Sequence, residues 1–285
     1  MSFKLLVVGS GFLGLSLEVQ AKVLGMSVTG THRVETPQVD IRNENSIEKI
    51  ILRTKPDYVI NSAALTNVDD IEKQSEEAYS INAYGAKNLA NISKKYKVPL
   101  LHISTDSVFD GRNGIYSESD VPNPVNEYGK SKLLGEKLIL EVLDSAIIIR
   151  TNFYGYNDEG KFLFNWILQK LQQHKHFNAF GDVIFNPLEI TNLSQMIMEL
   201  INVTYSGIIH LSSDHVMSKY QFACEIADNL NLDKNLIHKV NLVEEKLFAA
   251  RPLNTTLSNN KAKKLLKTKE IPFKEWIQTY SQRKI

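Results

Sequence analysis

A single cysteine, Cys224, is all that this chain of 285 residues contains. No internal disulfide can form, and a reducing compartment is the simpler home. Cys224 stands among Phe222, Ala223 and Ile226, the setting of a bland buried thiol rather than a nucleophile. No apolar run approaches the roughly 18 residues of a membrane span, and the start Met1-Ser2-Phe3-Lys4 has no signal-peptide core. The expected location is the cytoplasm. Charge of one sign is missing too: 33 Lys plus Arg face 32 Asp plus Glu, a net +1. That balance gives no general attraction to nucleic acid or anionic lipid, and the clusters at Lys261 to Lys267 and Arg283-Lys284 read as solvated helix faces. His174 and His176 have no carboxylate or cysteine arrangement around them that specifies a metal. There is no internal repeat and no low-complexity linker. What is present is an ordinary soluble composition, 43% hydrophobic and 23% charged. The length suits one large α/β domain or a core with a smaller lobe.

Leu5-Leu6-Val7-Val8 is a continuous apolar run, as expected of a strand covered on both faces. Gly9-Ser10-Gly11-Phe12-Leu13-Gly14 follows at once and leads into a helix that Gly25 can end. This is G-x-G-x-x-G between strand and helix: a tight turn, a close backbone approach to a pyrophosphate, and helix-to-strand packing. The helix N-terminus adds free N–H groups and a positive dipole end. A second strand over Ser27 to Gly30 runs into Thr31-His32-Arg33. An NAD enzyme usually places an acid there for the ribose 2′-hydroxyl; an arginine suits a 2′-phosphate and favours NADPH, with NADH the alternative. Val39-Asp40-Ile41 reads as a brief third strand, and Asn43 or Asn45 as the cap of a helix through Leu52. Tyr58 to Asn61 is the fourth strand, and Ser62-Ala63-Ala64 at its carboxyl end leaves room for a flat cofactor. A long helix spans about Glu76 to Lys95; within it Asn82 is either a holder of backbone or water, or a surface amide.

The fifth strand, Leu100 to Ser104, ends in Thr105-Asp106-Ser107-Val108-Phe109-Asp110-Gly111. Alone, such a segment is a strand-end turn. A later helix carries Tyr128 and Lys132 four residues apart, hence on one face. An ammonium one turn away should lower the phenol's pKa from about 10 and make it a usable acid or base. Thr105 can then hydrogen-bond a carbonyl while Tyr128 delivers the proton. Tyr280 and Lys284 repeat the spacing in the C-terminal tail, with no strand or hydroxyl ahead of them, and read as chance. His102 lies on an apolar strand and reads as a satisfied core histidine.

Ala146 to Ile149 is the sixth strand. Beyond Arg150 the chain alternates short helices and loops: Phe162 to Gln173, Leu193 to Ile201, and a capping-box start at Ser218 to Gln221. The expected fold is α/β: a Rossmann-type doubly wound parallel sheet with a smaller C-terminal α+β substrate lobe. Residues 1–150 would form the dinucleotide-binding domain and 151–285 mainly the substrate lobe, with segments such as Gly207 to Leu211 returning to the main sheet. Arg251 reads as a fork of donors for a diphosphate or, almost equally, as a solvated helix-end arginine.

The chain resembles the extended short-chain dehydrogenase/reductases, and among them the dTDP-4-dehydrorhamnose reductases. The matching pieces are Gly9 to Gly14, Asn61 to Asp69, Ile81-Asn82-Ala83, His102 to Gly111, Tyr128 to Lys132, Ile149 to Asn152, Gly207 to Leu211 and Arg251 to Asn254. The resemblance implies Tyr128 as proton donor, Lys132 as its pKa modulator and ribose ligand, and Thr105 as carbonyl partner. Cofactor contacts would come from Gly9, Gly11, Phe12, Leu13, Gly14, His32, Arg33, Asp40, Ile41, Ala63, Ala64 and Thr66, and substrate contacts from Thr105, Asp106, Asn152 and Arg251. The implied reaction is NADPH-dependent reduction of a 4-keto-6-deoxy sugar nucleotide, dTDP-4-dehydrorhamnose to dTDP-rhamnose, by a monomer or homodimer. The reductases usually carry aromatic residues where this chain has Leu65 and Ser107, and the Thr151 to Gly155 segment is one residue shorter than their common form. An epimerase or dehydratase of the same family is the rival enzyme, although no Glu follows Asp106 to complete the acid-base pair of a dehydratase. A cofactor-binding regulatory subunit without turnover is the rival from another class.

Overall fold

The computed structural model describes residues 2–31, 38–157 and 162–283. Six parallel strands form the central sheet: β1 Lys4–Val8, β2 Ser27–Thr31, β3 Tyr58–Asn61, β4 Leu100–Ile103, β5 Ile147–Thr151 and β6 Gly207–Leu211. Their spatial order is β2-β1-β3-β4-β5-β6. Val39, Asp40 and Ile41, expected as a strand, form none; they lead through a turn to helix α2, Glu44–Thr54, which the Asn43 side chain caps.

Alternate residues of a strand face opposite sides of a sheet, and the apolar runs here feed two separate cores. Leu5, Val7, Ile60, Leu101, Ile147 and Ile149 pack on one side against helix α1, Phe12–Val23, and a later helix at Ile190–Leu200. Leu6, Val8, Val59, Leu100 and Ile148 pack on the other against α2, α3 (Ala86–Tyr96) and α4 (Glu127–Val142). A strand buried on both faces needs no polar alternation, which explains its unbroken apolar sequence.

The long helix expected near Glu76 has a turn of π-helix, Tyr79–Gly85, ahead of α3. Such turns often sit at functional sites. Here it places Asn82, fully buried, against the loop after β3. A third core, built from Tyr154, Phe164, Phe185, Phe222, Phe273 and Ile277, belongs to the C-terminal part of the chain. There the helix Lys219–Asn229 starts on the expected capping box, with Ser218 and Gln221 each closing on the other's backbone. Because β6 pairs with β5 and Ile190–Leu200 packs on α1, the C-terminal half interleaves with the sheet.

Candidate active site

The chain leaves β1 for β2 on one side and crosses to β3 on the other, so the sheet's order reverses at the carboxyl end of β1, where open α/β sheets bind ligands. The three glycines at that point are not equivalent. Gly9 has φ +96°, and a Cβ on it would lie 2.5 Å from the Ala63 nitrogen. A Cβ on Gly14 would overlap the Gly9 carbonyl oxygen. Gly11 is different, because a Cβ there would meet nothing within 4 Å. The fold itself therefore requires Gly9 and Gly14, whereas the bare face of Gly11 opens on space at the N-terminus of α1. Gly11 also offers no capping side chain to the first-turn N–H groups. An uncapped N-terminus with its dipole facing an open cradle fits a pyrophosphate.

The other expected cofactor residues divide. Leu13 is a core side chain, leaving its backbone N–H to the cradle, while Phe12 stacks on Phe162 with ring centroids 5.0 Å apart. Ile41 is likewise buried in the core, so only its backbone can meet a ligand. Asp40 is held by a two-pronged pair with Arg42, 2.8 Å at the closest, which draws its carboxyl below the usual range. Ala63 and Ala64 are half-buried and Thr66 is exposed on the loop after β3. Asn82 fixes that loop by accepting from Leu65 N at 2.8 Å and donating to Leu65 O at 3.0 Å, with a further bond to the Ser131 hydroxyl on α4. Of the two readings of Asn82, backbone holder is the one observed. His32 and Arg33 lie outside the described residues.

Tyr128 and Lys132 stand on α4, whose N-terminus is capped by Asn126: its Oδ1 accepts from Gly129 N at 2.9 Å while its Nδ2 donates to the Ala250 carbonyl at 2.8 Å. Burial pushes the Tyr128 phenol up to about 12; a hydrogen bond with Thr105 works against the rise and the Asp106 carboxylate adds to it. This reverses the expected direction. The reason is where Lys132 points: its amine donates to the Ile103 carbonyl at 2.6 Å and touches His102 Nε2 at 3.2 Å, so it is engaged with β4. Lys132 is 2% exposed, and burial pushes its amine down to about 8 against the pull of Glu136 one turn on. Thr105 and Tyr128 are thus brought together as expected, while Lys132 stands beside them with a weakened hold on its proton.

Asp106 is buried and surrounded by donors: Asn152 at 2.8 Å, Thr255 at 2.6 Å, and the hydroxyls of Thr105 and Ser107 at 3.2 and 3.3 Å. With its lone pairs taken, it ties β4 to β5 and to the C-terminal segment, and Asn152 is spent on it. Arg251 reaches across to Asp69 at 2.9 Å and to the Ala249 carbonyl at 3.1 Å, so a substrate phosphate would share that guanidinium with them. Behind the site, Arg150 and Glu136 form a buried pair at 2.7 Å that also binds the Ser104 hydroxyl.

One residue on this side escaped the sequence reading. The Lys219 amine lies 3.2 Å from the centroid of the Phe185 ring, and burial pushes it down to about 7 against the pull of Asp106. Its signal was available: a lysine as first residue of a helix opposes the helix dipole, a position that invites another reason for a cation. A cavity of about 930 Å³ near Met196, Leu266 and Phe273 shares no residue with this constellation.

A family profile described as the RmlD substrate binding domain matches residues 3–284. The chain belongs to the RmlD substrate-binding family. A family relative, dTDP-4-dehydrorhamnose reductase of Aggregatibacter actinomycetemcomitans, is 31% identical over 275 residues, 90% of this chain and 91% of that one. Methionine adenosyltransferase 2 subunit beta of Pongo abelii is 29% identical over 261 residues, 85% of this chain and 75% of its own length. The crystal structure of dTDP-4-dehydrorhamnose reductase from Bacillus anthracis in complex with NADP superposes over the whole of both chains, with TM-score 0.88 and 27% identity. The RmlD fold thus accounts for the entire chain, the interleaved C-terminal half included.

Proposed function

We propose that the protein is an NADPH-dependent reductase of a 4-keto-6-deoxy sugar nucleotide, with dTDP-4-dehydrorhamnose as substrate and dTDP-rhamnose as product. The carrying observation is the meeting of Thr105 and Tyr128 next to a glycine cradle built for a pyrophosphate. The named reductases among its relatives supply the substrate. Bound at the cradle, NADPH would supply the hydride that reduces the keto carbon.

The residues of the chain handle the oxygen. A phenol pushed up to about 12 keeps its proton at neutral pH and is therefore an acid in waiting. An alkoxide forming on the sugar is more basic still, comparable to hydroxide, so transfer from Tyr128 runs downhill. A phenol with its pKa lowered towards neutrality would suit the oxidative direction better. Thr105 sits at the end of β4, its hydroxyl accepting from Ser107 N and donating to Asp106, both at 3.2 Å; turning that hydrogen from Asp106 to the substrate oxygen would let it share the charge there. Gly11 and the first turn of α1 would hold the diphosphate of the cofactor.

The test is loss of nicotinamide absorbance with dTDP-4-dehydrorhamnose. Wild type should exceed Tyr128→Phe by about a hundredfold or more; equal rates would end the proposal. The subunit-beta relative favours a second reading, binding of the cofactor without turnover in service of another enzyme. That reading predicts tight NADPH binding with no oxidation across a panel of nucleotide sugars.

A further inference from the structure

His102 is fully buried on β4 and bonded at both ring nitrogens. The Asn61 amide decides which nitrogen carries the hydrogen. Asn61 Oδ1 accepts from the backbone N–H of Ala63 at 3.1 Å, so the amide cannot be turned over without losing that bond. Its Nδ2 therefore donates, and the atom it meets at 3.0 Å, His102 Nδ1, must be the bare acceptor. A neutral imidazole with Nδ1 bare carries its hydrogen on Nε2. That hydrogen points at the Lys132 amine, 3.2 Å away. An N–H facing an ammonium is repelled; the same N–H facing a free amine makes a hydrogen bond to its lone pair.

We propose that His102, oriented by Asn61, is a positioning residue that presents Nε2–H to Lys132 and so loosens the proton on that amine. The proposal rests on the reductase reading for its consequence, which is that Lys132 titrates within the working pH range instead of staying permanently charged. Burial points the same way for both groups, holding His102 well below its usual range and lowering Lys132. The other charges and titratable groups around the amine are few. Tyr128 and Glu136 lie one turn away on either side along α4, with Glu136 opposing the loss of the proton and itself neutralised by Arg150 of β5. Asp106 follows β4 and acts on Tyr128. The histidine is the one partner from the neighbouring strand whose tautomer sets the sign.

Two measurements test this. Nitrogen-15 NMR of histidine-labelled protein, with His102→Gln used to assign the signal, should show Nε2 protonated and Nδ1 bare across neutral pH. The pH profile of NADPH oxidation should have a limb from Lys132 that moves up by about one pH unit, a tenfold gain in proton affinity, in His102→Gln, whose amide can turn its oxygen to the ammonium. A His102 protonated on Nδ1, or a limb that stays put while the rate falls equally at every pH, would overturn the proposal. If the variant fails to fold, the wild-type tautomer and the titration of labelled Lys132 decide. Since the tautomer is read without turnover, an inactive protein with Nε2–H would count against the reductase reading and not against this one.

Discussion

Replacing Lys132 by methionine should remove a pH-dependent penalty on the stability of the fold while abolishing the proposed reaction. The amine is 2% exposed and burial holds it at about 8, against 10.5 for a free lysine. At about 1.4 kcal/mol per pK unit, the free energy needed to keep the charged form in the folded state is about 3 kcal/mol. The sign follows from proton counts. Between about 8 and 10.5 the unfolded chain binds the proton and the folded one does not, so wild-type stability rises with pH through that window. Below about 8 both states are protonated and the full penalty is present; above 10.5 it is gone. Methionine has similar length and no charge to desolvate, but it strands the Ile103 carbonyl that the amine now serves. That baseline loss, about 1–3 kcal/mol, is the same at every pH. The robust quantity is therefore the change, with pH, of the stability difference between variant and wild type. Guanidinium unfolding of both proteins at pH 7 and pH 10.5 should show the variant losing about 3 kcal/mol of relative stability on going to the higher pH. A difference independent of pH would show that Lys132 pays no burial cost, and the account of its weakened proton would fail.

The glycines offer a clean separation of folding from binding. Gly14→Ala should fail to fold or lose several kcal/mol, since its Cβ would overlap the Gly9 carbonyl oxygen. Gly11→Ala should keep its Tm and bind NADPH at least about tenfold more weakly by fluorescence titration, a loss of about 1.4 kcal/mol; undiminished binding would remove the cradle. Lys219→Met should raise KM for the nucleotide sugar about tenfold with kcat little changed, because the amine lies over Phe185 on the Asp106 side of the site. An unchanged KM would leave Lys219 as a packing partner of that ring.

Local signals carried most of the fold. The glycine motif, the apolar strands, the Asn43 and Ser218 caps and the Tyr128–Lys132 helix all depend on neighbours within one turn or one strand, and they stand where the sequence puts them. The failures are long-range. Nothing in the sequence near Arg251 announces that Asp69, far earlier in the chain, holds its guanidinium. Asp106 looks like a free acid until Asn152 and Thr255 arrive from two other elements. The spacing of Tyr128 and Lys132 was legible, yet the direction of the phenol's shift was not, because the amine is bound by a carbonyl on β4 and burial acts on both groups. The strand expected at Val39 to Ile41 is absent because Ile41 is anchored in the core beneath α2 and α3 while Asp40 closes on Arg42.

The most direct measurement of the central claim follows the hydride itself. The protein is incubated with dTDP-4-dehydrorhamnose and NADPH carrying deuterium at the transferable position, and the sugar product is examined by proton NMR. Deuterium is expected at C4 of dTDP-rhamnose in wild type, and none within the same time in Tyr128→Phe. Unreacted NADPH beside wild-type protein, or a product whose C4 hydrogen came from solvent, would contradict it.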